Sequence, residues 1–131
     1  MVGRERVLIV DDEPVVLDLL QMVLESAGYD VTPCSSGLDA LEQCRTRSFA
    51  VLVCDYGLGD LDGISLHRTL TQEGHPLADR MILVTGEVAD ASVDAFLEET
   101  GLPALRKPFE MDELEALTAN ILRHSGVPGL R

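Results

Sequence analysis

Short apolar runs and longer amphipathic stretches alternate along this chain. Val7 to Val10 is an unbroken run rich in β-branched residues, closed by Asp11 and Asp12. It reads as a strand buried on both faces. Pro14 then stands where a helix can begin, because the N–H that proline lacks would be unpaired there anyway. Val16, Leu19, Leu20, Val23 and Ala27 recur at helical spacing, and Gly28 is the expected stop. A second strand is expected over Asp30 to Cys34. Ser36, with Asp39 three residues on, resembles a capping box and opens a helix through Cys44.

The pattern repeats three more times. Phe49 to Cys54 is a third strand ending at Asp55, and a loop rich in Gly and Asp leads to a helix from about Asp62 to Thr71. Met81 to Val84 is a fourth strand ending at Thr85, followed by a helix marked by Val93, Phe96 and Leu97 and stopped near Gly101. Leu102 to Arg106 is a weak fifth strand, and Leu114, Leu117 and Ile121 mark the last helix. Strict β/α alternation predicts a parallel sheet covered by helices on both faces, since right-handed crossovers place them there. Pro33 and Pro103 are read as lying in the second and fifth strands, and proline cannot serve a ladder on both sides. Those strands are therefore expected at the edges, giving the flavodoxin-like doubly wound α/β order 2-1-3-4-5 with five helices. One domain is expected over residues 1–124, with a short tail over 125–131 that contains Gly and Pro.

Composition narrows the function. The chain has 131 residues, 46% hydrophobic, and a formal charge of −13. Nucleic acid and anionic membrane surfaces are poor partners for such a charge, because phosphate binding needs Lys and Arg to displace counterions. Five aromatics, none of them Trp, leave the core to Val, Leu, Ile and Ala. Cys34, Cys44 and Cys54 make neither a disulfide framework nor a zinc motif, and the N-terminus has no run long enough for a signal peptide or membrane span. A cytoplasmic location is expected. His67, His75 and His124 have no Cys or carboxylate at ligand spacing and read as structural or exposed.

In an open parallel sheet, ligands bind beyond the carboxyl ends of the strands. Asp11 and Asp12 follow the first strand there, Asp55 the third, Thr85 the fourth and Lys107 the fifth. Two carboxylates ~4 Å apart repel by roughly 4 kcal/mol at an effective dielectric of ~20, so such a cluster is expected to hold a cation. All-oxygen ligands suit Mg²⁺, which pairs with phosphate oxygens. With a Lys and a Thr alongside, the set is a phosphoryl-transfer toolkit in which a carboxylate is the nucleophile. Asp55, on the central strand, lies between the other groups and is the candidate. Asp60 and Asp62 read as turn and cap residues, and Tyr56 as a loop-packing residue.

VLIVDDEP, VLVCDYGLGDLDG, MILVTG and LRKPF, in this order and spacing, resemble the response-regulator receiver family of two-component signalling over about Arg6 to Arg123. The resemblance implies that Asp55 takes a phosphoryl group from a sensor histidine kinase or a histidine phosphotransfer domain. It implies Mg²⁺ held by Asp11, Asp12, Asp55 and the backbone carbonyl of Gly57. Lys107 would contact the phosphoryl oxygens, Thr85 would turn inward to report phosphorylation, and the Lys107–Pro108 bond is often cis. The protein would catalyse its own phosphorylation and dephosphorylation and act as a switch rather than an enzyme.

Three positions depart from the family. Gly59 replaces a common proline, Gly57 removes a side chain that tunes dephosphorylation, and Ala104 replaces the usual switch aromatic. Two alternatives stand beside this reading. One is an aspartyl-phosphate phosphatase of the haloacid dehalogenase type, which would place its nucleophile after the first strand with a second Asp two residues on. The other is a degenerate receiver that only binds partners. A dinucleotide-binding domain would need a GxGxxG after the first strand, and none is present.

Overall fold

The computed structural model describes residues 4–86, 88 and 90–125. Five strands, β1 (Arg6–Val10), β2 (Asp30–Cys34), β3 (Val51–Asp55), β4 (Met81–Thr85) and β5 (Ala104–Arg106), alternate with five helices. The helices are α1 (Pro14–Ser26), α2 (Gly37–Thr46), α3 (Gly63–Gln72), α4 (Ala91–Thr100) and α5 (Met111–Ser125). All strand pairs are parallel, in the order β2-β1-β3-β4-β5. The doubly wound order expected from the sequence is the one found.

The sheet splits the core in two, as the twofold alternation of strand side chains requires. Leu8, Val10, Leu52, Cys54, Met81 and Leu83 face one layer with Leu66, Leu70 and Phe96. Val7, Ile9, Val51, Val53, Ile82 and Val84 face the other with Leu20, Leu24 and Leu114. Every residue of β3 and β4 is buried. Each large apolar side chain among them contributes roughly 1.5–3 kcal/mol of hydrophobic stabilisation, and so these two inner strands are the rigid platform from which Asp55 and Thr85 project.

Local signals explain the element ends. Pro14 opens α1, and Ser36 Oγ accepts from the Asp39 N–H at the start of α2. Gly28 (φ 98°) and Gly101 (φ 71°) stop α1 and α4 in the left-handed region that glycine enters without penalty. The three cysteines are free and buried, and burial pushes the Cys44 thiol up to about 11. They act as small apolar residues.

Some expectations need adjustment. Pro33 does lie in edge strand β2, opposite Ile9, but Pro103 stands just before β5 rather than within it. Its carbonyl accepts from the Leu83 N–H at 3.1 Å, so its missing N–H costs the ladder nothing. A single 3-10 turn over Pro76–Asp79 has no counterpart in the sequence reading, because four residues are too few to show a period. His75 caps it: Nδ1 accepts from the Leu77 N–H at 3.1 Å, and Nε2 lies 2.8 Å from the Cys44 carbonyl. His67 packs edge-on against Phe96. His124 Nδ1 lies 2.8 Å from the Asn120 carbonyl. Helix α5 runs through Ser125, the first residue assigned to the tail, and the rest of that tail, 126–131, lies outside the described residues. Among the described residues, no helix is long and apolar enough to cross a membrane.

Candidate functional site

The strand register carries four candidate residues to one edge of the sheet. Asp11 continues β1, its N–H donating to the Cys34 carbonyl at 3.1 Å. Asp55 ends β3 opposite Val84, and Thr85 ends β4 opposite Arg106. The Lys107 N–H donates to the Thr85 carbonyl at 2.8 Å, extending the β4–β5 ladder by one residue. The Lys107–Pro108 peptide is cis. Residues 108–110 then lead into α5.

Side chains of Asp11, Asp12 and Asp55 each bring a carboxylate oxygen to within 4.8 Å of the others. Asp11 is fully buried, Asp55 nearly so, and Asp12 is exposed. Lys107 Nζ reaches Asp11 Oδ2 at 3.2 Å, Asp55 Oδ1 at 3.1 Å and Glu13 Oε1 at 3.0 Å. One ammonium therefore faces three carboxylates. Burial pushes the Asp11 and Asp55 carboxyls up, against the pull of the lysine, and Asp55 is raised further by the charge on Asp11. Burial also opposes the charge on Lys107, but the hydrogen bond to Glu13 and the charges of Asp55 and Asp11 outweigh it and lift its pKa.

Two polar atoms are left unsatisfied. Asp11 Oδ1 accepts from the Glu13 N–H at 2.8 Å. Its Oδ2 has no hydrogen-bond partner among the described residues, only the ion-pair neighbour Lys107, off the direction a hydrogen bond needs. Thr85 Oγ1 is buried and likewise lacks a partner among the described residues. A buried carboxylate oxygen without a hydrogen bond costs free energy, and a further ligand there would relieve that cost. Hard oxygens from three carboxylates with open positions fit a divalent cation of the Mg²⁺ type.

Gly57, the remaining candidate, is exposed, and a Cβ there would lie 3.7 Å from Asp55 Oδ2. Its backbone is thus beside the acceptor. Glu13 was missed by the sequence reading. The signal was its place directly after the acid pair, at the N-cap of a proline-led helix, where it makes no side-chain cap bond. Asp62 caps α3 by accepting from the Ser65 N–H, as expected, and Tyr56 packs half-buried against the core. Asp60 accepts from the Leu61 N–H within its own loop, and it also caps α2.

Comparison with known proteins shows the family. The family model of the response regulator receiver domain matches residues 7–119. The chain belongs to the receiver domain family. It is 33% identical over 124 residues to PhoP of Bacillus subtilis, the alkaline phosphatase synthesis transcriptional regulatory protein, covering 95% of this chain and 51% of that one. It is 31% identical over 121 residues to the transcriptional regulatory protein ZraR of Escherichia coli O157:H7, covering 92% of this chain and 27% of that one. The receiver domain therefore spans about half or less of the length of these relatives. Among solved structures, a response regulator from Chloroflexus aurantiacus superposes with a TM-score of 0.81 at 35% identity, covering 92% of this chain and 99% of that one. The phosphatase alternative is set aside by this membership and by the adjacent pair Asp11-Asp12, where a phosphatase of that type would space its acids by two.

One prediction separates a metal-binding role for Asp12 from a capping role. Asp12 lies in one carboxylate cluster with Asp11 and Asp55, so Asp12→Ala removes a repelling charge. It should leave thermal stability in EDTA unchanged or raised by about 1 kcal/mol, given solvent screening at the open rim. If Asp12 is a metal ligand, the substitution should also abolish most of the stabilisation expected from millimolar Mg²⁺ in the wild type. Loss of a helix cap would instead lower the melt by about 0.5–2 kcal/mol in both buffers.

Proposed function

We propose that the chain is a phosphoacceptor switch in which Asp55 takes a phosphoryl group from the phosphohistidine of a sensor histidine kinase or a histidine phosphotransfer domain. The observation that carries this reading is the convergence of Asp11, Asp12 and Asp55 within 4.8 Å, with Lys107 Nζ 3.1 Å from Asp55. Asp11, Asp12, Asp55 and the Gly57 carbonyl would hold Mg²⁺. When bound, the cation neutralises phosphoryl charge and orients the donor against the acceptor.

The chain's own residues do the rest. An Asp55 carboxylate oxygen attacks phosphorus, the bond to the donor breaks, and an acyl phosphate forms on Asp55. Lys107 exchanges its contact with the Asp55 carboxylate for one with the new phosphoryl oxygens. The Thr85 hydroxyl, buried and unpaired among the described residues, gains a phosphoryl oxygen to which it can donate. The test is labelling by a small phosphodonor such as acetyl phosphate. Label should appear with Mg²⁺ and vanish with EDTA, and metal-independent label would reject the reading.

The output differs from one that buries an aromatic of the fifth strand. Position 104 is alanine, paired with Leu83, and the cavity of ≈ 100 Å³ beside Thr85 is bounded by Tyr56, Val93 and Arg106. Phosphorylation should therefore alter amide exchange around Thr85 and Gly86 more than in residues 102–106. The same change is expected at Glu87, which lies outside the described residues. Exchange with and without a phosphoryl mimic checks this, and a larger change in residues 102–106 would contradict it.

A further inference from the structure

The loop between β3 and α3 carries the Gly57 backbone beside the acceptor, yet its sequence does little to stiffen it. Gly59 stands in open space, with nothing within 4 Å of a Cβ built there. Two features hold the loop instead. Leu58 buries its side chain in the core. Two residues later, Asp60 reaches across to another element. One of its carboxylate oxygens accepts from the N–H groups of Gly37 (2.9 Å) and Leu61 (2.7 Å), and the other from the N–H of Leu38 (3.2 Å).

Gly37 and Leu38 are the first two residues of α2, and their N–H groups have no intrahelical acceptors. Ser36 satisfies only the next one, on Asp39. The start of α2 is therefore capped twice, once from its own chain and once from the acceptor loop. The loop also touches this helix through its backbone. A Cβ on Gly37 would lie 2.0 Å from the Leu61 carbonyl oxygen, so only glycine lets the two segments approach this closely. Slight burial opposes the charge on Asp60, but the N–H donors of Leu38, Leu61 and Gly37 hold its carboxyl down to about 2. The contact is thus charged at neutral pH.

We propose that Asp60 is a positioning residue, a clasp that fixes the acceptor loop to the start of α2 so that the Gly57 backbone keeps its place beside Asp55. Asp60 touches none of the reacting groups. Its effect on the site runs through the backbone of Leu58 and Gly59. The proposal rests on the reading of the site as an Mg²⁺-dependent phosphoacceptor and adds a residue that this reading does not contain.

Three variants test it. Asp60→Ala deletes the acceptor, Gly37→Ala pushes the Leu61 backbone away from the helix, and Ser36→Ala removes the other cap of the same helix while leaving the loop contact intact. Asp60→Ala and Gly37→Ala should each speed amide exchange across residues 57–61 and weaken Mg²⁺ binding about tenfold, the scale seen when groups that orient ligands are lost. Ser36→Ala should lose comparable stability but keep wild-type Mg²⁺ affinity and wild-type exchange in the loop. Wild-type exchange and wild-type Mg²⁺ affinity in Asp60→Ala would overturn the clasp, and so would an equal loss of affinity in Ser36→Ala. A wild type that takes up no Mg²⁺ would overturn the metal reading itself, and the positioning role with it, whatever the exchange data show.

Discussion

Asp55→Asn should carry no phosphoryl label after incubation with acetyl phosphate and Mg²⁺, under conditions where the wild type labels readily. The expected loss is complete, because the amide oxygen of asparagine has neither the negative charge nor the nucleophilicity of a carboxylate. The fold should survive the change. Asp55 ends a strand whose other residues are all buried and apolar, and its side chain makes ion-pair contact only with Lys107 among the described residues. Removing one of the repelling charges around Asp11 should leave the melt equal to or above that of the wild type in EDTA. Asp60 and Asp62 are occupied as helix caps and should not substitute as acceptors. Persistent label on Asp55→Asn would move the acceptor elsewhere.

Lys107→Met should be the most destabilising single change at this site in the absence of divalent cations. The lysine is the counter-ion of Asp11, which is fully buried, and of Asp55, which is nearly so. Breaking a buried pair from one side costs about 3–5 kcal/mol, and the partial exposure of the ammonium lowers the expected loss to about 2–3 kcal/mol at neutral pH. Both carboxyls already sit above their ordinary value of 3.8, mainly through burial, and the variant removes the pull that restrains them.

The sign of the pH dependence follows. A carboxyl raised on folding favours the native state while it is protonated, and this advantage is lost as pH rises through the folded pKa. The deficit of Lys107→Met against the wild type should therefore be small near the unfolded value of 3.8 and full above the raised folded values. Millimolar Mg²⁺ should restore much of the lost stability, because a cation bound to the same carboxylates replaces the missing charge. Phosphorylation should still be slow, since nothing else among the described residues places an amine at Asp55. Paired melts in EDTA and in Mg²⁺ across this pH range check the prediction. A variant that melts with the wild type in EDTA would mean that the lysine does not neutralise the rim.

Most of the fold was legible in the sequence because the apolar runs, the prolines and the glycines all carry the same message. Val51 to Cys54 is apolar at every position because both faces of β3 are covered, and Pro33 marks an edge because it has a neighbour on one side only. Asp11, Asp55, Thr85 and Lys107 could be brought together on paper because each directly follows or ends a strand, and parallel strands place such positions on one rim. What stayed hidden depends on side chains crossing between loops. Glu13 looked like an ordinary residue at a helix start, and its reach to Lys107 spans ninety-four positions that no local pattern connects. Asp60 was recognisable as a cap, but not as the cap of a helix twenty-three residues upstream. Pro103 was misplaced by one position, since strand ends are set by hydrogen bonds that composition does not reveal.

Peptide mapping of the phosphorylated wild type is the most direct measurement. After brief treatment with acetyl phosphate and Mg²⁺, the acyl phosphate should be trapped and located by mass spectrometry on the peptide containing Asp55, at that residue, with no occupancy in an EDTA control. Phosphate found instead on Asp11, Asp12, Asp60 or Asp62, or on Asp55 equally with and without Mg²⁺, would contradict the assignment of Asp55 as a metal-assisted phosphoacceptor.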